Sequence, residues 1–138
     1  MGPQTRIRRA WFFCNRLLSM FDFLQKKSVL DIDDVGLRHL VHEHAKVFAK
    51  FTAEDCAICK MLGPGFAKFA DHHGYQDIQF VRLSSEENPV ARQLMLERAA
   101  PFFVSYYQGR IIECETRETD DDVRAQLDRL LAYEPDPA

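Results

Sequence analysis

Seven residues from Lys46 to Thr52 (Lys-Val-Phe-Ala-Lys-Phe-Thr) make an apolar run of strand length, and the chain turns polar directly after it. Upstream, Asp33 or Asp34 can cap a helix whose apolar positions are Val35, Leu37, Leu40 and Val41. Downstream, a second helix is predicted from Cys56 to about His73, with Pro64 placed to kink it. Ile78-Gln79-Phe80-Val81-Arg82-Leu83 reads as another strand, and Asn88 to Arg98 as a helix with Val90, Leu94 and Leu96 available for a core. Pro101 then introduces Phe102 to Tyr107, a turn at Gln108-Gly109, and a strand from Arg110 to Cys114; two strands joined so tightly form a hairpin. Asp120, Asp121 and Asp122 sit where negative charge suits the start of a last helix, whose buried stripe is predicted to be Val123, Leu127, Leu130 and Leu131. The acidic triplet needs no ligand to explain it. Strands alternating with helices and ending in a hairpin imply an α/β fold, a mixed sheet covered by helices on both faces.

Residues 1–27 stand apart from this pattern as an N-terminal extension, with the regular domain expected over 28–138. The extension is basic (Arg6, Arg8, Arg9, Arg16), and Trp11, Leu17, Leu18, Phe21 and Leu24 can form one helical face. The expectation is a helix packed on its own domain or a frayed terminus, with a membrane-surface or partner helix as the alternative; Met20 offers a second start. Its apolar stretch from Ala10 to Cys14 is interrupted by Asn15 and Arg16, short of a signal-peptide core. No run approaches the roughly 18 apolar residues of a membrane span, so the chain is read as cytoplasmic.

The whole chain has 138 residues, 46% of them hydrophobic and eleven of them Phe, enough for one core. A net charge of -3, without a basic stripe, leaves no electrostatic footprint for nucleic acid. Four cysteines (Cys14, Cys56, Cys59, Cys114) are too few and too unevenly spaced for a disulfide-stapled scaffold. The informative pair is Cys56-Ala57-Ile58-Cys59, where strand gives way to helix. Thiols at this spacing can close a short disulfide ring, and N–H groups at the helix start stabilise a thiolate on Cys56. One cysteine can then attack a disulfide and the other resolve it. Cys14 and Cys114 read as small apolar residues. His39, His42, His44, His72 and His73 lack the carboxylate or cysteine partners of a metal site, and a zinc site on Cys56 and Cys59 would need two further ligands; no metal is expected.

From about Asp31 to Tyr133 the chain resembles the thioredoxin family. Phe51 to Pro64 follows that family's active-site pattern, including the proline five residues after the second cysteine; Glu86-Glu87-Asn88-Pro89 matches its acidic turn, Ala100-Pro101 falls at its cis-proline, and Gly109 at its hairpin glycine. The resemblance implies a thioredoxin-like fold and a protein dithiol-disulfide oxidoreductase, with Cys56 as nucleophile, Cys59 as resolving thiol and Ala100-Pro101 lining the substrate groove. It implies protein disulfides as substrates, a recycling reductase as partner and no cofactor, since the electrons reside on sulfur. Three departures stand out. Ala57-Ile58 replaces the family's Gly-Pro, Asp55 replaces the aromatic residue before the first cysteine, and Lys50 replaces a buried acid six residues before it. A carboxylate at Asp55 disfavours the thiolate. Lys50 can either favour both thiolates or snorkel to water as an ordinary strand residue; neither version supplies a proton acceptor, a role left to Glu54 or water. Lys50, Glu54 and Asp55 are thus candidate modulators of the thiol pair. A thioredoxin-like interaction module without redox catalysis is the competing reading.

Overall fold

The computed structural model describes residues 28–86, 88–89, 92–93 and 99–135. The extension with Cys14 and Met20, and the predicted apolar positions Val90, Leu94 and Leu96, lie outside the described residues. A helix, α1 (Asp34–Glu43), follows its N-cap Asp33, whose carboxylate accepts from the Gly36 N–H at 2.8 Å. The predicted strand is β2 (Lys46–Thr52), followed by α2 (Ala57–Asp71) and β3 (Ile78–Ser84). The hairpin consists of β4 (Phe102–Tyr107) and β5 (Arg110–Thr116), and the last helix is α3 (Asp120–Ala132). Gly109 closes the hairpin at φ 81°, a conformation that favours glycine. A short strand absent from the sequence reading, β1 (Val29–Asp31), pairs in parallel with β3 through Val29–Phe80, Leu30–Val81 and Asp31–Arg82. Its three residues are too few to display an alternation.

The sheet order is β1-β3-β2-β4-β5, with β1, β3 and β2 parallel, β4 antiparallel to β2, and β5 antiparallel to β4. Alternation along β2 divides the core. Val47, Ala49 and Phe51 point to the face covered by Leu37 and Val41 of α1. Phe48 points to the opposite face, where it meets Leu62, Phe66 and Phe69 of α2 and Val123, Leu127 and Leu130 of α3. Phe48 lies within 6.0 Å, centroid to centroid, of the rings of Phe66, Phe80 and Phe103.

Several helix positions differ from expectation. Cys56 caps α2 rather than joining it, and the helix ends at Asp71, followed by a 3-10 turn at His73–Tyr75. Val35 is exposed. In α3 the buried stripe is Val123, Gln126, Leu127 and Leu130, while Leu131 faces outward. Gln126 is tolerated there because its amide donates to the Phe103 carbonyl at 3.0 Å and to Ser105 Oγ at 3.1 Å, and accepts from Arg117 Nε at 2.9 Å. Thr119 caps α3, its hydroxyl accepting from the Asp122 N–H. The acidic triplet occupies the first turn, as expected from the helix dipole.

Candidate active site

The parallel strands deliver their C-terminal ends to one edge of the sheet, and the turn from β2 into α2 forms there. Asp55 adopts φ 55°, a left-handed conformation that Asp tolerates better than most residues, and this reverses the chain into the helix. Cys56 therefore arrives as the N-cap. Its Sγ accepts from the Cys59 N–H at 3.1 Å, and its carbonyl accepts the first helical bond from Lys60. The two cysteines form a disulfide, with Cα atoms 5.2 Å apart. They differ in access: Cys56 is half-buried, whereas Cys59 is buried. Cys56 is thus the more accessible of the two.

The strand register brings a further segment to this edge. Phe51 pairs with Phe102 across β2 and β4, their rings stacked at 4.6 Å, so Pro101 lies at the end of β2 where the loop to Cys56 departs. The Ala100-Pro101 bond is cis, Ala100 is half-buried and Pro101 is buried. This segment is held to β5: the Arg117 N–H donates to the Pro101 carbonyl, and the Thr116 hydroxyl to the Ala99 carbonyl at 2.8 Å.

Lys50 shares the α2-facing side of β2 with Phe48 and is only 2% exposed. Its ammonium donates to the Cys59 carbonyl at 2.8 Å and lies 5.6 Å from the centroid of the Phe66 ring. The snorkelling alternative is thereby excluded. Burial, reinforced by the neighbouring positive charge of Arg82 and opposed by Asp120, pushes the Lys50 pKa from 10.5 down to about 8. Arg82 is the register partner of Lys50 on β3, and its guanidinium is engaged by Asp31 of β1 at 2.6 and 2.9 Å. Asp120 packs over α2 at Gly65, where a side chain would collide with its carboxylate.

Glu54 and Asp55 are exposed beside Cys56. The Glu54 backbone N–H donates to Glu86 Oε1 at 2.7 Å, and the Ser84 hydroxyl donates to Glu86 Oε2 at 2.8 Å. These bonds hold the Glu86 carboxyl below its usual range. Glu86 thus ties the end of β3 to the loop that presents Cys56. Linear pattern carries no signal for this clamp, because its partners are 32 positions apart.

The remaining candidates stay apart from the disulfide. Cys114 is half-buried against the α1-side core, and His39, His42, His44, His72 and His73 are exposed. Among the described residues no group of three or more His, Cys, Asp or Glu is gathered to hold a metal ion, and no helix is long and apolar enough to cross a membrane.

The family model described as Thioredoxin matches residues 29–129. Thioredoxin H2 of Arabidopsis thaliana is 29% identical over 82 residues, a match covering 59% of this chain and 60% of that protein; the chain thus spans less than two thirds of this curated relative. Among solved structures, the thioredoxin of Malassezia sympodialis superposes with a TM-score of 0.69 at 25% identity, covering 78% of this chain and 94% of that one. Oxidised mitochondrial thioredoxin 3 of Saccharomyces cerevisiae gives 0.65 at 24% identity, covering 73% and 94%.

Proposed function

Since the chain belongs to the thioredoxin family, we propose that it is a protein dithiol-disulfide oxidoreductase in which Cys56 attacks and Cys59 resolves. The observation that carries this reading is the asymmetric disulfide at the start of α2: an accessible Cys56 whose sulfur receives the Cys59 N–H, beside a buried Cys59. On reduction, the same N–H and the helix dipole stabilise a Cys56 thiolate. That thiolate attacks a substrate disulfide and forms a mixed disulfide, and Cys59 then closes the ring and releases the reduced product. Electrons pass from thiol to disulfide, so the cycle calls for a reductase to recycle the pair. Ala100-Pro101 supplies the backbone edge of the substrate groove.

Lys50, Glu54 and Asp55 set the poise of this pair. A positive charge hydrogen-bonded to the backbone of Cys59 favours thiolates and hence the reduced state, while the carboxylates at Glu54 and Asp55 oppose it. The buried charge dominates because the carboxylates are solvated. The potential is therefore expected above the value of about -270 mV typical of thioredoxin. We take 28–138 as the domain. Its cysteine usage, one exchangeable pair and no stapled framework, favours a reducing compartment such as the cytoplasm.

The test is capture. Cys59→Ser is expected to accumulate mixed disulfides with other proteins through Cys56, released by dithiothreitol and lost when Cys56→Ser is added. Failure to capture any species, together with no two-electron transition in glutathione buffers, would replace this reading with a non-catalytic interaction module.

A further inference from the structure

We propose that Lys50 is a site of reversible carbamate formation: its side-chain nitrogen takes up carbon dioxide inside the pocket it shares with Arg82, and the modification exchanges a cation for an anion on the backbone of Cys59. The uptake stands on the pocket alone; its redox consequence rests on the oxidoreductase reading.

Lys50 is 2% exposed, yet it lines a pocket of about 330 Å³ with Ser28, Asp31, Gly63, Asp71 and Arg82. At about 30 Å³ per water, that space exceeds what carbon dioxide needs. Lys50 Nζ donates to the Cys59 carbonyl at 2.8 Å, whereas an ammonium carries three donors. A carbamate nitrogen retains one N–H. That N–H can stay on the Cys59 carbonyl while the new carboxylate extends into the pocket, so the modified side chain keeps its anchor.

The surrounding charges favour this product. Arg82 of β3 opposes the ammonium and complements a carboxylate. Asp31 of β1 engages its guanidinium through Nε and one terminal nitrogen, which leaves donors of a five-donor group for a second anion. Asp71 of α2 accepts from the Ser28 hydroxyl across the pocket, and Asp120 of α3, which favours the ammonium, is the weaker influence on Lys50. With burial as the largest cause, the Lys50 pKa falls to about 8, so about a tenth of the amine is neutral and nucleophilic at neutral pH. An ordinary lysine, near 10.4, offers less than about a thousandth. An imine formed with an aldehyde would be protonated and keep the positive charge that burial and Arg82 disfavour. Carbon dioxide removes it.

In the reaction the Nζ lone pair attacks the carbon of carbon dioxide, a C–O π pair moves onto oxygen, and the nitrogen releases one proton to water. No oxidant or reductant takes part. The resulting anion beside Cys59 disfavours thiolates and hence the reduced pair, which lowers the reduction potential.

The test uses the full chain in its disulfide form, equilibrated with isotope-labelled bicarbonate at a pH of about 8 and observed by carbon NMR. The parent is expected to show a carbamate resonance beyond that of the N-terminal amine, whose ordinary pKa of about 8 makes it an internal reference. Lys50→Met loses this resonance and keeps the reference. Arg82→Gln weakens it several-fold, because the anion loses its partner; the Asp31 pair it breaks is solvent-exposed and contributes little to the fold. Alkylation of the parent's carbamates with triethyloxonium, followed by peptide mapping, locates the adduct at Lys50 without any substitution. An adduct confined to other amines, a resonance that persists in Lys50→Met, or one undiminished in Arg82→Gln overturns the proposal. In glutathione buffers of equal ionic strength, carbon dioxide lowers the potential of the parent and leaves that of Lys50→Met unchanged. A carbamate at Lys50 with no change in potential overturns the redox consequence. Absence of any two-electron transition overturns the oxidoreductase reading, while the NMR result still decides the uptake.

Discussion

Replacing Lys50 with Met is expected to stabilise the oxidised protein. The ammonium is 2% exposed, and its pKa falls from 10.5 to about 8. At about 1.4 kcal/mol per unit, holding that charge in the fold costs about 3 kcal/mol at neutral pH. Met fills similar volume without charge but gives up the bond to the Cys59 carbonyl, worth about 1 kcal/mol. A net gain of about 2 kcal/mol remains. Its pH dependence identifies the cause. The folded protein releases the Lys50 proton more readily than the unfolded chain does, so in the parent the Lys50 contribution to stability is fully present above about pH 10.5 and is lost as pH falls toward 8. Below that it stays constant. The advantage of Lys50→Met is therefore a plateau at and below neutrality that shrinks between about 8 and 10.5 and reverses above, where only the lost hydrogen bond remains. Urea unfolding of both proteins across this range, with the disulfide intact, measures the difference directly. A variant less stable at neutral pH, or a difference that does not change with pH, would refute the argument that burial of the charge is costly.

Other substitutions probe the scaffold around the site. Phe48→Ala removes the ring that meets Phe66, Phe80 and Phe103, and should cost about 3–5 kcal/mol by urea titration. Gln126→Leu leaves the Phe103 carbonyl and the Ser105 hydroxyl without their α3 partner, and is expected to destabilise by about 1–3 kcal/mol despite its added hydrophobicity; a neutral result would show the network to be dispensable. Thr119→Ala removes the cap of α3 and should cost about 1 kcal/mol, measured as a shift in unfolding midpoint. Glu86→Ala frees the Glu54 amide, whose hydrogen exchange should accelerate while amides of β2 stay protected; the parent should show the same acceleration as acid protonates Glu86, at a pH below that of an ordinary glutamate.

What the linear sequence by itself determined is local. Strand and helix signals around residues 46–52, 56–71, 78–84, 102–116 and 120–132 are read within a few positions of one another, because pleat, helical period, caps and turns involve neighbours along the chain. The same holds for the thiol pair, whose spacing and placement at a strand-to-helix junction are contiguous, and for Gly109, whose turn requires a positive φ. Three residues of β1 were too short for any such signal and became a strand only because β3 offered an edge.

Only the tertiary structure decided what depends on distant partners. Lys50 illustrates it: alternation in β2 fixes which face it shares with Phe48, but its burial and its hold on Cys59 follow from how α2 lies across the sheet, and its altered acidity from burial and from Arg82 of β3 and Asp120 of α3. The exchange of Gln126 for Leu131 in the α3 stripe has the same origin, since a polar side chain is admitted wherever the opposing strand leaves a carbonyl and a hydroxyl to satisfy. Periodicity reports that a residue faces inward. What it meets there, and so whether a lysine reaches water or is held as a buried charge on the backbone of a cysteine, is set by the register of strands and helices far apart in the chain.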